Sequence, residues 1–172
     1  VVAHELPPKV ETVMRVELSG KQADLYETIR LGMEKTVREA LNTKGLAKSQ
    51  ITILDALLKL RQVCCDPHLL KLDAAKKVKT SAKLDQLMEL LPEMLAEGRR
   101  ILLFSQFTSM LSLIEAGLKK LNITSVKLTG QTQKRDAVIE QFTSGQVPLF
   151  LISLKAGGVG LNLPQADTVI HF

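Results

Sequence analysis

Leu149-Phe-Leu-Ile-Ser-Leu-Lys-Ala-Gly-Gly-Val-Gly-Leu-Asn-Leu-Pro164 is the stretch on which the fold turns. Its first four residues form an unbroken apolar run, the pattern of a strand covered on both faces. Ser153 ends the run, and Gly157, Gly158 and Gly160 then crowd three glycines into four positions. Upstream, a helix is predicted from Thr132, burying Val138, Ile139 and Phe142, and before it a strand at Ser125 to Leu128. A helix over Thr108 to Leu121 repeats Met110, Leu113, Ile114, Leu118 and Leu121, and Ile101 to Phe104 is a second apolar run. A helix from Ser81 carries Leu84, Leu87, Met88, Leu91 and Leu95 on one side. Pro92 should kink or restart it, since an interior proline costs about 3 kcal/mol. Downstream, Thr168 to Phe172 forms the last strand. This alternation implies an α/β fold: a parallel sheet flanked by helices, with right-handed crossovers.

The N-terminal half has a different pattern. Pro7-Pro8 is a stiff, extended lead-in. Val10, Thr12, Met14, Val16 and Leu18 alternate with the period of a half-buried strand. Ser19 and Gln22 have capping-box spacing. Tyr26, Ile29, Met33, Val37 and Leu41 mark one face of a first helix out to Asn42. Gly45 breaks the chain. Ser49 can cap a second helix, with Ile53, Leu57, Leu60 and Cys64 on its face and Pro67 as its stop. Two such helices make an antiparallel hairpin. Lys71 to Thr80 has no apolar period and reads as a linker, giving a helical segment at 1–80 ahead of the α/β unit at 81–172.

Composition narrows the class of protein. Of 172 residues, 45% are apolar and 24% charged, as in ordinary globular proteins. No apolar run approaches the ~18 residues of a membrane span, and His4, Glu5 and Pro7 interrupt any signal-peptide pattern. The net charge of +5 is compatible with a polyanionic partner but equally with a solvated surface. Cys64 and Cys65 are adjacent, which rules out C-x-x-C spacing. They read as small core hydrophobes, and no metal site is expected. Val1 in place of Met suggests an excised fragment or a processed product.

In a parallel sheet, ligands bind outside the carboxyl ends of the strands. Three loops leave that edge: Ser105-Gln-Phe107, Thr129-Gly-Gln-Thr132, and Ser153 through Pro164. Their hydroxyls and glycines suit close approach to phosphate, although every open α/β fold uses such residues there as caps and turns. The glycine cluster fits neither G-x-G-x-x-G nor Walker A, because Lys155 precedes the glycines instead of following them. Spacing alone therefore indicates a phosphate- or sugar-proximal loop without catalytic groups.

Taken together these residues resemble the Swi/Snf-type ATPases of helicase superfamily two. Leu154 to Leu163 is similar to the family's motif V and Ile101 to Phe107 to its motif IV. Leu128 to Thr132 with Arg135 resembles the short motif that follows, and Ala166 to Phe172 the strand after motif V. Leu6 to Glu11 and Leu60 to Leu70 resemble the brace and helical protrusion between the family's two motor lobes.

The resemblance implies most of a second RecA-like lobe from a motor that clamps ATP between two lobes and tracks along duplex DNA. Gly158, Gly160 and Asn162 would then face ATP. Ser105, Gln106, Thr129, Thr132, Arg135, Ser153, Lys155 and Gly157 would lie toward the DNA backbone. Arg135 is either a phosphate contact or an ion-pair partner, and Gln106 and Thr129 are alternatively helix caps. The family's phosphate-binding loop, its magnesium-binding acidic motif and motif VI are not in this sequence. ATP and magnesium are thus expected of the full-length protein, and neither turnover nor catalytic residues of the segment alone. An arginine finger by itself is worth about a thousand-fold or more in phosphoryl transfer. Proteins on DNA, or RNA polymerase, are the further partners implied; the setting is cytoplasm or nucleoid in a bacterium and the nucleus in a eukaryote, with no role for membranes or secretion. Two other readings stay open: a DEAD-box-like RNA helicase lobe, disfavoured by Val159 where those proteins carry arginine, and a non-enzymatic module binding protein through the hairpin.

Overall fold

A computed structural model describes residues 8–158 and 160–172. The first element, α1 (Gly20–Cys65), has non-helical backbone at Gly45, with φ 75° and ψ 174°. That left-handed φ strains any residue with a Cβ, so glycine is the residue that turns the chain here at no cost. The arms 20–44 and 46–65 fold back on one another as the expected hairpin, with Leu25 and Ile29 of the first packed in one cluster with Val63 of the second. Gly45 itself stands before the second arm. Ser49 does not cap it; its hydroxyl donates to the Gly45 carbonyl from inside the helix, at 2.6 Å. Leu41 and Leu57, expected on the buried face, are exposed, because two helices alone cover a narrower strip than a closed core does.

The Ser19–Gln22 capping box does not form, as Ser19 makes no side-chain cap. Gln22 is instead drawn inward to helix-end groups that would otherwise be buried without partners. The alternating Val10–Leu18 segment forms no strand, and Val10 and Val13 are exposed. A strand needs a ladder partner, and the four strands of the C-terminal half take their neighbours from one another. Leu6 and Pro7, the start of the stiff lead-in and brace-like stretch, lie outside the described residues.

Pro67 stops α1 as expected, and a 3-10 turn follows at Pro67–Leu69. Asp66 is buried there and accepts from both the backbone N and Nδ1 of His68. The stretch read as a linker is packed. It contains α2 (Asp73–Lys76), and Ala75 and Val78 are buried against Leu25 and Ile29. Only two of its apolar residues are buried, too few to register as a period among four lysines, yet they suffice to dock the segment.

The α/β unit comprises α3 (Ala82–Ala96), β1 (Ile101–Ser105), α4 (Thr108–Lys120), β2 (Val126–Leu128), α5 (Arg135–Thr143), β3 (Leu149–Ser153), α6 (Leu154–Gly157) and β4 (Thr168–His171). The four strands are parallel, in the order β2-β3-β1-β4. Ile101, Leu103, Leu149 and Leu151 face α3 and α4, whereas Leu102, Phe150 and Ile152 face α5 and α6. Continuous apolar runs serve both layers, as the sequence implied. Pro92 does not restart α3, which runs unbroken through it. Leu87 and Leu91, buried in the α4 core, anchor the turns on its N-terminal side and offset the missing hydrogen bond. Cys65 joins that core as a small hydrophobe.

Candidate functional site

Register brings the candidate residues to one rim. Ser105 is level with Ser153, and Leu128 with Ile152, so Thr129 leaves the sheet at the same height as both serines. The glycine-rich turn therefore departs from the rim that carries the other two loops. Both serines are buried and hold those loops internally. Ser105 Oγ accepts from the Phe107 N–H, and Ser153 Oγ from the Ala156 N–H, each at 3.2 Å. Ser153 thereby caps α6, a single helical turn inside the stretch read as a loop.

The second loop is closed by its own threonines. Thr129 N–H donates to Thr132 Oγ1 at 3.0 Å, and Thr132 N–H to the Thr129 carbonyl at 3.2 Å. Thr132 does not begin the following helix; α5 starts at Arg135. The hydroxyl that could cap a helix is engaged in the turn instead. Arg135 stands at the first position of α5, half-buried.

Gly157 has a packing reason. A Cβ there would lie 2.7 Å from Phe104 Cε1 and 3.3 Å from Ile152 Cγ2. The Phe104 ring is held in turn by stacking on His171, with centroids 5.5 Å apart. Gly158 ends α6, and Gly160 has a φ of +61°. Lys155, Gly158, Gly160 and Asn162 are exposed, and Val159 lies outside the described residues. Lys155 has no acidic partner among the described residues.

Sequence reasoning missed two features of this rim. Arg61, from the second arm of α1, donates from Nη1 to Gln106 Oε1 at 3.2 Å, so Gln106 is tied to the hairpin. Lys83 Nζ lies 4.4 Å from the ring centroid of Phe172, which follows β4 at this edge. No local pattern announces contacts across 45 and 89 positions. Among the described residues no group of three or more His, Cys, Asp or Glu could hold a metal ion, and no helix is long and apolar enough to cross a membrane.

Sheet order, level loops and a glycine-rich turn together define an open parallel α/β lobe whose candidate loops share one rim. The helicase conserved C-terminal domain matches residues 82–172, and the SNF2-related domain residues 1–69. The chain belongs to the Swi/Snf-type helicase-like ATPases of superfamily two. It is 34% identical to the chromatin structure-remodeling complex protein SYD of Arabidopsis thaliana, over 99% of this chain and 5% of that protein. It is likewise 34% identical to the putative ATP-dependent helicase/translocase YwqA of Bacillus subtilis, over 99% of this chain and 19% of that one. The SWI2/SNF2 ATPase core of Sulfolobus solfataricus, solved in complex with dsDNA, superposes with a TM-score of 0.81 at 32% identity, covering 98% of this chain and 36% of that one. The chain thus spans a fifth or less of the length of these curated relatives.

Proposed function

We propose that this chain supplies one wall of the ATP cleft and part of the DNA grip of an ATP-dependent double-stranded DNA translocase of the remodelling type. Residues 1–80 act as brace and helical protrusion, and 81–172 as the second RecA-like lobe. The observation that carries this reading is the common rim at which Ser105, Thr129 and Ser153 stand level beside the glycine-rich turn. The relatives' names support a remodelling or translocating motor over an RNA helicase or a purely protein-binding module.

Gly158, Gly160 and Asn162 line the nucleotide side, where the exposed Asn162 amide offers a neutral hydrogen-bonding partner to a ribose hydroxyl. Magnesium and the reacting water are held by groups elsewhere in the full-length protein. On the DNA side, Gln106, Lys155 and Arg135 meet the backbone. Ser105, Ser153, Thr129 and Thr132 shape the loops whose amides approach phosphate, and Gly157 lets the α6 turn lie flat on Phe104. Proteins bound to DNA, RNA polymerase among them, are the cargo such a motor displaces or shifts.

The test is equilibrium binding of the 172-residue chain to labelled 20-bp duplexes of unrelated sequence across a salt series. Equal affinities are expected, with a log–log salt slope of about −0.9 per phosphate neutralised. No binding at low salt would overturn the DNA assignment. DNA-stimulated ATP turnover by the chain alone would overturn the division of labour.

A further inference from the structure

We infer that Arg61, at the base of the helical hairpin, and Lys83, in the first turn of α3, extend the DNA-backbone contact beyond the rim loops as two phosphate-neutralising cations. This rests on the DNA-binding reading above and adds residues to it.

Three observations carry it. The first is position. Arg61 bonds Gln106, which directly follows β1. Lys83 sits over Phe172, whose N–H bonds the Phe104 carbonyl at the same rim. Both charges also act on the Cys65 thiol: burial pushes it up, and Lys83 and then Arg61 oppose that rise, so the two cations lie in one patch. The second is charge balance. Of the other hairpin cations, Arg30, Arg38 and Lys59 are each paired with a carboxylate one helical turn away, while Lys21, Lys35, Lys44 and Lys48 have no acidic partner among the described residues, so it is position beside the rim that singles out Arg61. Among the described residues Arg61 and Lys83 have no acidic partner, since Gln106 and an aromatic ring leave their charges intact. Asp66, the acidic group acting on the same thiol, is buried and taken up by His68. The third is donor supply. Gln106 accepts Arg61 through Oε1, which leaves its amide N–H groups as donors beside a guanidinium. That combination suits a phosphodiester oxygen.

The experiment repeats the duplex salt series with Arg61→Gln, Lys83→Gln and the double variant, using the acid-paired Lys59→Gln as control. Each single change should flatten the slope by about 0.9, and the double by about 1.8. Lys59→Gln should leave it unchanged, and Arg61→Lys should restore it, because the slope counts charge. A loss of affinity with an unaltered slope means that Arg61 only props Gln106, and the inference falls while the DNA reading stands. Failure of the unmodified chain to bind defeats both. Inorganic triphosphate at constant ionic strength separates the remaining source of phosphate. If it displaces duplex from the unmodified chain but not from the double variant, the pair belongs to the nucleotide and the inference is overturned.

Discussion

The side-chain amide of Gln22 donates to the Val63 carbonyl at 3.0 Å, while its oxygen accepts from the Ala82 N–H at 2.9 Å. One buried residue thus satisfies a carbonyl in the last turn of α1 and the first amide of α3. Ser81 adds a second tie, its hydroxyl donating to the Cys65 carbonyl at 3.2 Å. Gln22→Leu leaves two polar groups buried without partners, at roughly 1–3 kcal/mol each. Urea unfolding of the chain should show a loss of about 2–6 kcal/mol, with faster amide exchange at Ala82. An unchanged midpoint would mean that water replaces the amide.

Gly157→Ala should cost about 1–3 kcal/mol by overpacking, since the new methyl meets a ring already stacked on His171. Phe104→Leu in the same chain should recover part of the loss. Additive effects of the two changes, measured by thermal unfolding, would show that the contact does not govern this position.

Core and hairpin should respond differently to the same truncation. Leu111 is fully buried beneath the sheet, and Leu111→Ala is expected to cost about 2–5 kcal/mol. Leu57 is 52% exposed despite its place in the apolar pattern, and Leu57→Ala should stay within about 0.5 kcal/mol. Paired urea titrations distinguish the two.

Burial raises the thiols of Cys64 and Cys65 above the usual cysteine range. The sign of the linkage follows from that direction. Below the unfolded thiol pKa, about 8.5, both states hold the proton and stability is flat in this respect. As pH rises further the unfolded chain releases protons first, so stability falls until the folded pKa is passed. The urea midpoint should drop between pH 7.5 and 9.5 by more in the native chain than in a Cys64→Ala/Cys65→Ala variant. Equal drops would refute the coupling.

The α/β unit was legible because its strands are short apolar runs between helices of clear period, and Ile101–Phe104 and Leu149–Ile152 lie as read. The rim was legible for the same reason: parallel strands place every loop that follows a strand on one side. What escaped is non-local. The alternation of Val10–Leu18 carries no information about whether a partner strand exists, and none of β1–β4 pairs with it. Ser19–Gln22 has capping spacing, but the competing acceptor and donor lie 41 and 60 positions away. Arg61 sits in a helix whose neighbours in sequence say nothing of Gln106. The family likeness supplied what the residues alone did not, namely which ligands the rim would meet.

The turn at Gly45 makes the hairpin a long lever fixed at its base. The first arm, 20–44, extends about 33 Å at 1.5 Å per residue from the Gln22 junction to the tip. A tilt of about 5° at that junction, too small to break its hydrogen bonds, sweeps the tip through about 3 Å over such an arm. Force applied at Gly45 is returned, with the same gearing, to the first turn of α3 and to Arg61 beside the rim. Whatever touches the far end of this hairpin is mechanically in touch with the sheet.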